Sequence, residues 1–259
     1  MAEDSAQRRL LRLTLVQRAA SLDPEENLAA LDELEALLPV SDVIVLPEAS
    51  ARDFGEPGSD LAPYAQSFEG PYATRLRELA TDTVIVAGMF EVAPDAARPY
   101  NTLVATGPDM DARYRKIHLY DSFGFRESDQ LSAGPRDWLA IDVGGTDVGL
   151  MTCYDLRFPE LAQRLRAELI LVPSAWVAGP VKLDHWSTLL KARAIENVAF
   201  VAGVGQPGPR YTGHSMVVSP MGEVMAEAGD GPEVLTVTID LGDVARARET
   251  NPSLDNRRL

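Results

Sequence analysis

Only one cysteine, Cys153, occurs among the 259 residues, which excludes an internal disulfide and a multi-cysteine zinc site. A lone thiol fits a reducing compartment, so a cytoplasmic setting is expected. Long apolar runs are also missing: none approaches the roughly 20 residues needed to cross a bilayer. The opening MAEDSAQRRL carries acidic residues and no apolar core before Leu10, unlike a secretory signal. Basic residues are in deficit, 24 against 39 acidic, and the net charge of −15 argues against nucleic acid or an anionic membrane as a partner. Solubility is the simplest account of that acidity, and any anionic ligand would then need a local basic pocket. Neither internal repeats nor a Gly/Ser linker divides the chain. With 46% hydrophobic residues it can form a sizeable core, so one domain over residues 1–259 is expected, with a polar tail from about residue 250.

What is present reads as alternating strands and helices. LLRLTLVQ (10–17) has the composition of a strand, and Asp23 then caps a helix with Pro24 in its first turn and apolar residues at helical spacing through LAALDELEALL. VIVLPEAS is a short buried strand ending at Pro47 and Glu48; ATRLRELA is a helix and TVIVAGMFEV a strand. NTLVATGPDMDARYRK reads as two strands around a Gly-Pro-Asp turn. After the cysteine segment come the helix of FPELAQRLRAEL, the strand LILVPSAW and the helix WSTLLKARAIEN. Strands in VAFVAGVG, HSMVVSP, GEVMAE and EVLTVTID follow. Such an order predicts a layered α/β fold with mixed sheets.

Several strings mimic known motifs without their context. GVGQPG (203–208) fits G-x-G-x-x-G, but prolines and a strand follow where a dinucleotide site needs a helix. DVGGTDVG is a hairpin turn. His118, His185 and His214 lack the spacing of a helical zinc pair, so no metal is expected. GHS lacks the G-x-S-x-G elbow of a serine hydrolase.

Four polar residues at strand ends and loops carry more information. Glu48 follows a buried strand and a proline, against the ordinary reading of an exposed loop acid. Lys116 closes a strand with Ile117 and Leu119 as apolar neighbours, or snorkels at the surface. Glu127 lies in the aromatic-rich FGFRESD, or is a solvated charge. Cys153 ends an apolar strand beside a helix N-terminus, where backbone N–H groups favour a thiolate; its alternative is a buried small hydrophobe. Together they are sufficient for one chemistry. A carboxylate can deprotonate a thiol, a lysine can hold the oxyanion formed at a carbonyl, and the same carboxylate can activate water. Hydrolysis of a C–N bond through a thioester then needs no metal and no organic cofactor.

With those residues in place the chain resembles the nitrilase, or carbon–nitrogen hydrolase, superfamily over nearly its whole length. The matching motifs are LPEAS, YRKIHLYD, FRES, GLMTCYDLRFPELAQ, VPSAW, HWSTLLKARAIEN and GHSMVVSPMGEV. The resemblance implies a four-layer αββα sandwich and a triad of Cys153, Glu48 and Lys116, with Glu127 as a second glutamate that positions substrate. It also implies a homodimer or higher homo-oligomer, associating through the helices near the nucleophile. CYDLRFPELA is similar to the branch containing omega-amidases and deaminated-glutathione amidases. The function expected is release of ammonia from a small linear amide bearing a carboxylate. An N-carbamoyl amine or acid hydrolase, a nitrilase, a redox-sensing thiol protein and a catalytically inactive scaffold are the alternatives. Tyr154, Arg157 and Trp176 are the expected substrate-binding residues. Arg157 can pair with a substrate carboxylate, or with Glu160 or an interface acid.

Overall fold

The computed structural model describes residues 8–258; most of the leading segment read above, residues 1–7, and the last residue of the tail lie outside the described residues. In chain order, β1 (Leu10–Gln17) is followed by α1 (Pro24–Ala29), β2 (Val43–Val45), α2 (Pro71–Leu79), β3 (Val84–Glu91), β4 (Tyr100–Gly107) and β5 (Met110–Arg115). A small hairpin, β6 (Asp121–Ser122) and β7 (Phe125–Arg126), separates them from β8 (Ala140–Asp142) and β9 (Asp147–Leu150). Then come α3 (Pro159–Leu165), β10 (Leu169–Ser174), α4 (Lys182–Asn197), β11 (Phe200–Gly205), β12 (Met216–Val218), β13 (Val224–Glu227), β14 (Glu233–Asp240) and α5 (Gly242–Thr250).

Two six-stranded mixed sheets result, ordered β14-β1-β2-β3-β4-β5 and β13-β12-β11-β10-β9-β8. Each has a parallel centre, β1-β2-β3 or β9-β10-β11, flanked by antiparallel strands. Strand alternation sorts the first sheet's side chains between two cores. Leu13, Leu15, Val43, Val45, Val84 and Val86 face the second sheet, whereas Ile44, Ile85, Ala87 and Val104 face Leu31, Leu34, Tyr72 and Leu76 on the helical side. Trp186, Leu190 and Ala194 of α4 cover the second sheet. The architecture is therefore mixed α/β, with sheets packed face to face and helices outside. Among the described residues no helix is long and apolar enough to cross a membrane.

Three local features differ from the expected elements. The helix expected through LAALDELEALL is α only to Ala29 and continues as a 3-10 helix over Ala30–Ala36. Its buried residues Leu31 and Leu34 are three apart, the 3-10 repeat, and a further 3-10 turn, Leu38–Val40, carries Pro39 in its opening positions. Strand β2 is only three residues long, because Pro47 has no N–H for a ladder and the chain turns at Glu48. Residues 242–250, expected to lead into a polar tail, form α5. Only Val244 and Ala247 of that helix are buried, too little apolar periodicity to mark it.

Candidate active site

The chain delivers its functional side chains from the ends of strands in both sheets. Glu48 lies three residues past β2, Lys116 directly follows β5, and Cys153 lies three residues past β9. Backbone crowding fixes the first. A Cβ on Gly88 of β3 would lie 2.5 Å from the Ala49 nitrogen and 2.8 Å from the Glu48 Cα, so only glycine lets the Glu48 turn sit against β3. Ala49 and Cys153 both adopt positive φ, +57° and +46°, conformations costly for a residue with a side chain. Cys153 thus turns sharply out of its strand and opens a 3-10 helix over Cys153–Arg157, which hands the chain to α3.

Lys116 joins the two glutamates. Its Nζ donates to Glu48 Oε1 at 2.9 Å and to Glu127 Oε2 and Oε1 at 2.8 and 3.0 Å, with all three side chains buried. The Ala175 backbone N–H donates to Glu48 Oε2 at 2.7 Å, and the Tyr120 N–H donates to Glu127 Oε2 at 2.6 Å. The Asn101 amide donates to Glu48 Oε1 at 2.7 Å and to Glu127 Oε1 at 3.3 Å. Gln206 ties down the Glu48 backbone carbonyl at 3.0 Å. The alternative reading of Glu127 as a solvated charge does not hold: it is about as buried as the lysine it contacts.

Electrostatics follow from this packing. Burial works against the charge on Lys116, but Glu127 and Glu48 outweigh it and hold the proton more tightly than usual. Two acids share one ammonium, and burial followed by the charge of Glu48 raises Glu127, while Lys116 opposes the rise. The thiol corrects the expectation of a thiolate. Burial, then the Glu48 charge, pushes Cys153 well above the ordinary thiol value, and Lys116 only partly offsets them. A single 3-10 turn does not overcome that desolvation and acidity. A peroxide-reactive sensor needs an accessible, low-pKa thiol, so this environment does not favour the redox alternative. It favours a neutral thiol that loses its proton to a nearby base during attack.

Cys153, Glu48, Lys116 and Glu127 all line one cavity of about 940 Å³, and so do Tyr154, Arg157 and Trp176. Trp176 is both wall and core: its indole N–H donates to the Lys182 carbonyl at 2.9 Å and its ring packs against Trp186 at 5.4 Å. Arg157 does not pair with Glu160. Its guanidinium sits 5.0 Å from the Trp176 ring centroid and 3.3 Å from His185 Nδ1. Its buried Nε has no hydrogen-bond partner. Phe123, exposed at the tip of the β6–β7 hairpin, and Phe125 complete the aromatic side of the cavity.

Sequence reasoning missed Asn101, Tyr120, Lys182 and the Asp155–His118 pair. Buried Asp155 accepts from the Thr152 N–H at 3.0 Å, the Tyr114 hydroxyl at 2.7 Å and the His118 N–H at 3.0 Å, and its Oδ1 lies 2.7 Å from His118 Nδ1. A buried acid two residues after the cysteine, and a polar residue inside the strand NTLVATG, were the available signals.

Known proteins resemble the chain in sequence and in fold. The carbon–nitrogen hydrolase family pattern matches residues 12–249. A deaminated glutathione amidase of Escherichia coli O157:H7 is 39% identical, with 91% of this chain and 92% of that protein covered. Omega-amidase NIT2 of Xenopus tropicalis is 34% identical, with 95% of each covered. Among solved structures, XC1258 from Xanthomonas campestris is a CN-hydrolase superfamily protein with an arsenic adduct in the active site. It matches with a TM-score of 0.88 at 28% identity, covering 97% of this chain and 98% of that one.

Proposed function

Because the chain belongs to the carbon–nitrogen hydrolase family, an amidase-type hydrolase family, we propose that it is a cofactor-free thiol amidohydrolase that releases ammonia from a small linear amide bearing a carboxylate. One observation carries the reading: an ammonium and two glutamates are hydrogen-bonded into one buried cluster, and that cluster lines the same cavity as the only thiol.

The chemistry follows from the donors and acceptors. Glu48 Oε2 accepts one backbone hydrogen bond and keeps a second lone pair, which takes the Cys153 proton as sulfur attacks the amide carbon. Charge develops on the carbonyl oxygen, and the Lys116 ammonium and the leading N–H groups of the 3-10 turn stabilise it. Glu48 returns the proton to the departing ammonia. It then deprotonates a water that cleaves the thioester, which restores the thiol and releases the acid. Glu127 holds Lys116 from the opposite side and positions the amide. Arg157, unpaired with any acid among the described residues, receives the substrate carboxylate. The relatives named deaminated glutathione amidase and omega-amidase support an amide substrate.

The test is an ammonia-release screen over ω-amides of dicarboxylic acids, N-carbamoyl compounds and nitriles, with Cys153→Ala as the blank. Turnover is expected on the ω-amides, with kcat reduced at least about 10²–10³-fold in Lys116→Ala. Full amide turnover by Lys116→Ala would remove the triad, and hydrolysis of uncharged amides alone would remove the carboxylate from the substrate.

A further inference from the structure

Lys182 reaches the cavity from a different element than the residues above, as the first residue of α4. It is buried, and what surrounds it is not acidic. Its ammonium donates to the Tyr120 hydroxyl at 2.8 Å and lies 3.5 Å from the Phe123 ring centroid and 4.9 Å from that of Tyr120. Aromatic faces hold a cation in place without neutralising it. Other basic groups nearby have acids of their own: Lys116 has Glu48 and Glu127, Arg193 has Glu196, and Arg210 has Asp53. Among the described residues, Lys182 and Arg157 have no carboxylate within ion-pair distance; Glu56 lines the same cavity but is exposed and pairs with neither.

Two cations without an acid partner among the described residues thus line one cavity on either side of one ring: the Phe123 centroid lies 3.5 Å from the Lys182 ammonium and 5.7 Å from the Arg157 guanidinium carbon. Burial, and then the repulsion of Arg157, weakens the hold of Lys182 on its proton, whereas negative charge at Cys153 would strengthen it. All three groups line the same cavity. Like charges confined in a region of restricted water are relieved by an anion placed between them. The Lys182 ammonium has three donors, of which Tyr120 takes one. Arg157 contacts His185 through one terminal nitrogen only, which leaves other N–H donors of its planar fork for a ligand.

We propose that Lys182 is the second jaw of an anion clamp: one carboxylate on the acyl chain of the substrate bridges Lys182 and Arg157, and Lys182 selects anionic amides over neutral ones. This rests on the amidohydrolase reading of Cys153 but assigns a new residue to its specificity. The clamp holds the chain by its acidic end, and this fixes the distance at which the amide carbon meets the thiol. Tyr120 and Phe123 keep the lysine extended toward the ligand rather than toward bulk water.

Two substrates of equal chain length separate the contributions: glutaramate, which ends in a carboxylate, and pentanamide, which ends in a methyl group. Lys182→Met is expected to lower the ratio of kcat/KM for glutaramate to that for pentanamide by about 10- to 100-fold, chiefly through KM, the loss of one charged hydrogen bond. Lys182→Arg is expected to restore most of that ratio. A ratio that stays constant while both substrates decline would make Lys182 a packing residue and overturn the proposal, as would failure of the arginine to rescue. Calorimetric binding of glutarate to Cys153→Ala provides a readout independent of turnover. Adding Lys182→Met should weaken it by the same factor, and unchanged affinity would overturn the clamp. If the wild-type chain turned over no amide, the amidohydrolase reading would fall, and glutarate binding would still decide for or against the clamp.

Discussion

At the scale of single residues, the least conspicuous member of the site is the most instructive. The Asn101 side-chain amide donates to both glutamates, and its backbone carbonyl accepts the Lys116 N–H at 2.8 Å. It therefore holds three charged groups in register although it is itself neutral. Removing a donor from a buried carboxylate destabilises the ionised form and raises its pKa. Asn101→Leu should lower kcat/KM by about 10- to 100-fold and move the acid limb of the pH profile to higher pH. The limb rises because Glu127, already raised by burial and by Glu48, becomes harder still to ionise. A uniform loss at every pH, with no movement of the limb, would reduce Asn101 to a packing role. Glu48 and Cys153 could be read in the sequence because each follows an apolar strand, where a polar residue is conspicuous, and Lys116 because the apolar Ile117 and Leu119 follow it. Asn101 could not: its meaning depends on the register that sets β4 beside β3 and β5 and so beneath two acids from distant loops. Lys182 follows Gly179 and Pro180 with no periodic signal, and only the folded cavity reveals that it lacks an acid.

Between elements, the nucleophile turn is fastened to the lysine strand by Asp155. This buried acid collects donors from Thr152, just before Cys153, and from Tyr114 and His118, on either side of Lys116. His118 in turn stacks on Phe158 with ring centroids 3.7 Å apart, so the end of β5 is held against the start of α3. Asp155→Ala leaves several buried donors without an acceptor and is expected to cost on the order of 3 kcal/mol in urea unfolding. Tyr114→Phe loses one donor cleanly and should cost about 1 kcal/mol. Because both act on the same network, the double variant should cost less than the sum. Strict additivity would show that the hydroxyl and the acid act independently and that no clamp joins the strand to the turn. Continuous apolar runs disclosed the central strands of both sheets, since those strands are buried on both faces. They did not disclose the 3-10 geometry at Ala30–Ala36 and Cys153–Arg157, because composition differs little between the two helix types and tertiary packing chooses between them.

For the molecule as a whole, charge sets a conflict that the cavity resolves locally. The chain carries −15, yet the proposed ligand is an anion, and Arg157 and Lys182 wait for it unpaired by acid among the described residues. Exposed carboxylates spread over the surface repel such a ligand over a range that salt shortens to about 8 Å at physiological ionic strength. The two cavity cations act at contact distance in a partly dry site, where screening is weak. Added salt should therefore remove more repulsion than attraction. Raising sodium chloride from about 10 to about 150 mM is expected to lower KM for glutaramate severalfold while leaving KM for pentanamide within twofold. Attraction by exposed cations would give the opposite slope, as anionic ligands on basic proteins do. A KM for glutaramate that climbs with salt would show that its carboxylate binds at the solvent-exposed mouth rather than between Arg157 and Lys182. A slope of zero for both substrates would mean that the surface charge does not reach the cavity, and the acidity of the chain would then serve solubility alone.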